Sequence, residues 1–477
     1  MLPHWQGSDR CFEMVDAPQH RQIVCTSHAF LGGKLNLAHA AAVYLPASVD
    51  AGLGRLFGRP SLFATGIDLH GRQGERVLAG LSKADADALK ESLVAKFPRD
   101  LAKLGISVDI YLRTDSLAVA YATDRAISQL KACGRLKNLP SVTLSCTGNC
   151  GDLSVSETLS ETGETMGWKS HSRAAEVQDL RCALCGAKVE RSVAQQYAVD
   201  LTGGDEVLAQ VPELCTGKTG RKLLCAILRN DFGSWTISRS NYNGLPFPGD
   251  PDRTLYVWFP AIVSKGLLAE RLCLSPEVFF GGQHAKFYFA KNIVQYYAKI
   301  MPLVLYHCFG AKQARYSYHI RGFCDVARSA QILDCDIAVA RHGLSAVRFY
   351  CLYSVDDDAR DFVLLPERIE AVEKGVMQGI FGRFLKKVEL DYGAQAPGLD
   401  PQGLPPAAAR LWARLARFHQ QGRVRAILLA LEASIQASCA TTPETERLAL
   451  YQITRALLEV YVPGWHRPNV TAVEQRP

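Results

Sequence analysis

The chain has 477 residues, 48% of them hydrophobic and 21% charged, with 54 Lys and Arg against 47 Asp and Glu. That balance fits a globular protein of about two to four domains and excludes a disordered or fibrous one. The net charge of +7 permits an anionic small molecule or a nucleic acid without demanding either.

No apolar stretch nears the roughly eighteen residues of a membrane span, and the N-terminal MLPHWQGSDRCFE lacks a secretory apolar core. A soluble cytoplasmic protein without membrane partners is therefore expected. From residue 20 to about 125, short apolar runs alternate with helical patterns. Gln22–Cys25, Ser61–Thr65 and Val108–Leu112 read as strands, and Ala84–Lys96 reads as a helix. This rhythm predicts an α/β fold with a parallel, doubly wound sheet. Leu255–Phe259 reads as a further strand and Lys286–Leu305 as an amphipathic helix. Beyond about 365 the pattern is helical, broken by the Pro/Gly-rich segment 396–407.

Several constellations have chemical potential. Gly32-Gly33-Lys34-Leu35-Asn36-Leu37-Ala38-His39 joins the first predicted strand to an alanine-rich helix start. A helix N-terminus there can seat a phosphate, with His39 as a donor; a capping turn with a packed histidine has the same spacing. In Gly66-Ile67-Asp68-Leu69-His70-Gly71, Asp68 would stand at the carboxyl end of a parallel strand, where open α/β sheets bind ligands. A carboxylate there can hold an ammonium group or simply cap the turn. Trp258 would wall an apolar pocket or pack in the core. Of the fifteen cysteines, Cys146, Cys150, Cys182 and Cys185 form two close pairs around a polar segment. Such pairs suit a structural, four-thiolate zinc site, the alternative being unligated thiols.

Together these segments resemble class I aminoacyl-tRNA synthetases, specifically a methionyl-tRNA synthetase-like paralogue. NLAH stands where that family has HIGH, with Asn36 for the first histidine and His39 for the second. GIDLHG is similar to the family's G-T-D-E-H-G, and 235–261 (WTISRSNYNGLPFPGDPDRTLYVWFPA) is similar to the segment that re-enters the nucleotide-binding fold. RCALCG followed by QQYAVDL is similar to the end of the zinc-bearing insertion.

The resemblance implies a Rossmann-like (HUP-type) parallel sheet split by that insertion and followed by an all-α bundle. The catalytic halves would be 1–125 and 251–323, with the insertion at 126–250 and its zinc knuckle over 146–185. A stem-contact-like segment would follow at 324–365, and a shortened anticodon-binding-like domain at 366–477. His28, Phe30, Asp68, Trp258, Ile293, Tyr297 and Arg239 would bind the amino acid. Gly33, Lys34, Lys291 and Asn292 would lie against ATP and its Mg²⁺, and His39, Asn36 and Arg328 would assist catalysis.

Departures from the family carry equal weight. The KMSKS loop should follow Gly322-Phe323, yet the shorter CDVARSAQILD stands there, and no lysine occurs between Lys312 and Lys374. One lost donor of that kind typically removes about 3–4 kcal/mol of transition-state stabilisation. The family's G-K-D reads Ala290-Lys291-Asn292, Phe30 replaces a tyrosine, and Tyr297 replaces a pocket histidine. The tryptophan-bearing anticodon segment, expected between Cys439 and Thr442, is absent. These changes imply an enzyme that activates an amino acid without tRNA in specialised metabolism. It would pass the acyl group to a small nucleophile or a carrier protein, N–N bond assembly with a partner such as a cupin included. A non-catalytic amino-acid-binding or scaffold protein is the alternative, and a methionine–tRNA ligase the remaining one.

Overall fold

A computed structural model describes residues 21–465 apart from 34, 149–150, 154–157, 160–178, 183–184, 230–232, 241–242, 325–333, 393–397 and 439–440. Lys34, Cys150 and Arg328 lie outside the described residues.

Strand β1 (Gln22–Thr26) is buried at every position. It pairs in parallel with β2 (Ser61–Asp68), which pairs in parallel with β3 (Ile110–Arg113). On its other edge β1 pairs with β7 (Ala285–Ala290), and β7 with β8 (Ser317–Arg321), again in parallel. The order β3-β2-β1-β7-β8 is an open parallel sheet, with the two-residue strand Ala29–Phe30 prolonging β1 alongside β2. Alternate side chains serve two cores. Val24, Phe63 and Tyr288 face one; Ile23, Cys25, Ala64, Phe287 and Phe289 face the other. Burial on both faces explains why these strands are continuously apolar instead of alternating.

Helix α1 spans 37–56 and passes through a π-turn over Ala40–Tyr44. Pro46 stands just beyond it, and a proline has no N–H to give to a helix ladder, so the wider turn absorbs the missing bond. Helices α2 (Lys83–Lys103) and α3 (Leu117–Ala132) flank β3, each capped by a serine side chain, Ser82 and Ser116. Strands β4 (Leu136–Cys146) and β5 (Val189–Asp200) form a long antiparallel ribbon from Leu136 opposite Val199 to Cys146 opposite Val189. Strand β6 (Asp250–Leu255) then leads into helix α4 (Trp258–Gly266). Helix α5 follows β7 over 296–309 and repeats the device of α1, a π-turn over Tyr296–Ile300 followed by Pro302.

Two expectations need correction. Leu255–Phe259 is not a strand: β6 ends at Leu255, and Trp258 opens α4. Lys286–Leu305 is not one helix: Ala285–Ala290 is the strand β7, and helical structure begins only after it, with a 3-10 turn over Lys291–Ile293. A buried strand and a buried helix are both uninterruptedly apolar, so periodicity cannot separate them.

The remainder is helical: Cys335–His342, Leu344–Ser354, 368–392, Pro406–Gln420, Val424–Ala437 and Glu444–Tyr461. These helices share one hydrophobic core with α1, so the helical half is welded to the face of the sheet that bears Val24. Among the described residues, no helix is long and apolar enough to cross a membrane.

Candidate active site

The carboxyl end of β2 carries Asp68. Its Oδ1 accepts hydrogen bonds from the Thr114 hydroxyl at 3.1 Å and the His70 N–H at 3.2 Å. Burial pushes the carboxyl up to about 7, against the opposing pull of those two donors and of Lys265. Thr114 also accepts the Leu69 N–H at 3.0 Å, so a single hydroxyl fixes the turn and its carboxylate together.

Asp68 borders a cavity of about 160 Å³ between the strand ends and helices α4 and α5. That is below the roughly 300–1,000 Å³ of sites for drug-sized ligands and suits a smaller molecule. Trp258 and Tyr296 stack at 3.9 Å and 7° to form one wall, and the Tyr296 hydroxyl meets that of Tyr256 at 3.1 Å. Tyr297, stacked on Phe289 at 3.9 Å, forms another. Phe30, 47% exposed, stands at the rim. His28 presents two buried ring nitrogens with no hydrogen-bond partner. Burial and the nearby Lys265 hold its pKa well below the ordinary value, so the imidazole is neutral.

Of the residues expected to bind the amino acid, His28, Phe30, Asp68, Trp258 and Tyr297 line this cavity. Ile293 and Arg239 do not. Ile293 packs into the adjoining core. The Arg239 guanidinium lies 4.2 Å from the Tyr256 ring centre and donates to the Ser238 carbonyl at 2.7 Å, behind the aromatic wall. Sequence reasoning missed Lys265, Tyr296, His70 and Met301, which also line it. One signal was available: Lys265 interrupts the apolar helix WFPAIVSKG.

Of the expected ATP-facing residues, Gly33 lies across Phe30 from this cavity, and Asn36 and His39 follow it at the start of α1. Asn36 caps α1, its Oδ1 accepting the His39 N–H at 3.0 Å, and His39 is exposed on the first turn. Gly32 adopts φ +79°, and the Gly33 N–H closes the turn onto the Phe30 carbonyl at 3.0 Å. Asn36 also pairs through its backbone with Asp334. Lys96, Asp100, Asp334 and Asp336 therefore share a second hollow with the glycine turn. Lys291 donates to Asp361 at 2.7 Å and lies over the Phe323 ring, with Asn292 exposed beside it.

At the far end of the β4–β5 ribbon, the sulfurs of Cys146, Cys182 and Cys185 lie within 4.8 Å of one another. Those of Cys146 and Cys185 are 3.4 Å apart, and the Gly148 N–H points at the Cys146 sulfur at 3.3 Å. Tetrahedral zinc with bonds of about 2.3 Å fits a thiol triad of this size. The fourth expected ligand, Cys150, is outside the described residues.

The family described as "tRNA synthetases class I (M)" matches residues 22–308. Similar curated proteins include the methionine–tRNA ligase of Archaeoglobus fulgidus, 25% identical over 273 residues, covering 53% of this chain and 40% of the relative. That of Methanococcus maripaludis strain C7 is 25% identical over 306 residues, covering 60% and 45%. The matched part thus spans less than half the length of these relatives. Among solved structures, Mycobacterium tuberculosis methionyl-tRNA synthetase bound by methionyl-adenylate superposes with a TM-score of 0.70 at 18% identity, covering 93% of this chain and 92% of that one. Its apo form gives 0.65, covering 93% and 90%. These likenesses establish the shared fold, and the family match extends over more than half of the sequence. The chain belongs to the class I tRNA synthetases of the methionyl group, as a divergent, methionyl-tRNA-synthetase-like member.

Proposed function

We propose that this chain activates an amino acid with ATP and hands the acyl group to an acceptor other than tRNA, a small nucleophile or a carrier protein. The observation that carries this reading is the cavity that joins Asp68 to an aromatic wall at the carboxyl end of a parallel sheet. In the reaction, the amino-acid carboxylate attacks the α-phosphorus of ATP and pyrophosphate leaves. The acceptor then attacks the carbonyl carbon, AMP leaves, and the acceptor's proton passes to solvent. Asp68 would hold the α-ammonium; Trp258, Tyr296 and Tyr297 would enclose the side chain. His39 and Asn36 would face the phosphates, and Arg328 would stand in for the lost lysines. The absence of any lysine between 312 and 374 supports a departure from the translational reaction.

A second reading, amino-acid binding without catalysis, is favoured by the three aspartates in the hollow beside the glycine turn. Asp100 and Asp336 there pair with Lys96 and Lys103, so these lysines are already committed and answer a triphosphate poorly. Amino-acid-dependent pyrophosphate–ATP exchange, run across the common amino acids beside a tRNA-charging assay, separates these readings. Exchange with one class of amino acid and no charging is the expected result. Binding of an amino acid without exchange would leave the second reading standing, and charging of tRNA would return the chain to translation.

A further inference from the structure

The cavity holds a positive charge that an apolar side chain would leave unanswered. Lys265 is 2% exposed. Its ammonium donates to the Thr26 carbonyl at 3.1 Å and to the Cys25 sulfur at 3.4 Å. An ammonium has three N–H donors, so these partners leave one unassigned. Among the described residues, no carboxylate reaches the 4.0 Å that defines an ion pair with Lys265. Lys286, also buried, shows the usual solution, with Asp50 at 2.9 Å. Lys265 lines the cavity instead, beside the unpartnered ring of His28.

Asp68 and Lys265 thus give one small, aromatic-walled space an acidic and a basic pole, too far apart to form an ion pair with each other. We propose that Lys265 selects an acidic amino acid, whose side-chain carboxylate pairs with Lys265 while its α-ammonium pairs with Asp68. This rests on reading the cavity as an amino-acid site. The α-carboxylate then remains available for chemistry. Burial already works against the Lys265 charge, with Cys25 and Asp68 working to preserve it. An apolar side chain would leave that buried charge with the Thr26 carbonyl and the Cys25 sulfur but no countercharge, which is costly. A side-chain amide would satisfy the donor, but a charge-assisted hydrogen bond is roughly twice as strong.

The test is calorimetry of the full chain, without ATP, against L-glutamate, L-aspartate, L-glutamine, L-methionine and glycine. One of the two acids should bind at least about tenfold tighter than glutamine, methionine or glycine, a gap of about 1.4 kcal/mol. Lys265→Met should cancel that preference and raise the affinity for methionine. Equal or tighter binding of methionine or glycine to the wild type, no binding of either acid, or an acid preference retained in K265M overturns the proposal. The wild-type panel decides the matter even if K265M does not fold. An acid preference without pyrophosphate exchange removes activation and leaves this inference standing. Exchange driven by methionine and not by an acid does the reverse.

Discussion

Lys286 of β7 donates to Asp50 of α1 at 2.9 Å, and the same ammonium reaches the His419 carbonyl at 3.1 Å. The His419 ring approaches Asp50 as well, at 3.0 Å, so one carboxylate joins β7, α1 and the helix Pro406–Gln420. Burial raises the Asp50 carboxyl, but Lys286 and His419 outweigh it and hold the group far below the carboxylate range. Removing one partner from a buried pair leaves an uncompensated charge and costs about 3–5 kcal/mol. Asp50→Ala should therefore lower stability by that amount at pH 7, read from the urea midpoint. Because the folded pKa is depressed, the contribution is complete above the unfolded value near 3.8 and fades as pH falls below it. A variant as stable as the wild type at pH 7 would refute this account.

Asp68 makes amino-acid binding pH-dependent. In the unliganded protein the carboxyl keeps its proton up to about pH 7. An ammonium ligand needs the ionised form, so affinity should rise about tenfold per pH unit below that point and level off above it. Among the groups facing Asp68, His28 stays neutral, His70 is lowered to about 4 by burial, and Cys25 is raised, so none of them titrates on this rising limb. Lys265, lowered by burial, would add a falling limb at higher pH for an acidic ligand. The folded chain holds a proton here that the unfolded chain has lost, so Asp68 makes stability fall as pH rises from about 4 to about 7. Asp68→Asn should flatten the rising limb and weaken binding by about 1.5–3 kcal/mol, the worth of a hydrogen bond to a charged group. A flat wild-type profile in calorimetry between pH 5.5 and 8.5 would remove Asp68 from the ligand.

The strands of the sheet core were legible because Gln22–Cys25 and Ser61–Thr65 are short, apolar, and bounded by turn residues. Asp68 could be placed for the same reason: a strand ending in Gly-Ile-Asp delivers the carboxylate to the sheet's carboxyl edge. Trp258 reached the expected cavity from an unexpected element, since its neighbours Tyr256, Val257 and Phe259 fit a strand as well as a helix start. Lys265 escaped notice because a single lysine in a helix ordinarily snorkels to solvent, and only the tertiary packing closes that route. The Asn36–Asp334 pairing joins positions almost three hundred residues apart, beyond the reach of any local pattern.

The ribbon tip supplies a metal prediction independent of the cavity. Cys146, Cys182 and Cys185 converge without any help from the sheet core, and Cys182 is completely buried. If Cys150 completes the set, the purified protein should contain about one zinc per chain, because four thiolates close a structural site. Chelation should then lower the thermal midpoint, since metal affinity is folding free energy for such a knuckle. Cys182→Ser should lose the metal and respond no further to chelator. Protein purified under reducing conditions without zinc, and unmoved by added zinc, would show that the thiols hold no ion.

Gly66 tests whether the cavity's shape, as distinct from its charge, governs binding. A Cβ at this position would lie 2.7 Å from the His28 ring and 2.7 Å from the Leu112 carbonyl oxygen. The carbonyl belongs to β3, which is paired with β2 at this point and cannot retreat without breaking the register of Gly66 with Leu112. The imidazole is the freer of the two, being without hydrogen bonds, and its displacement would carry it into the cavity. Overpacking of this kind costs about 1–3 kcal/mol. Gly66→Ala should therefore destabilise the chain by that amount and weaken amino-acid binding, while leaving the zinc content of the ribbon unchanged. His28→Ala in the same background opens the space again and should recover part of the lost affinity. If the double variant binds no better than Gly66→Ala alone, the clash is relieved through β3, and the His28 ring is not what shapes the pocket.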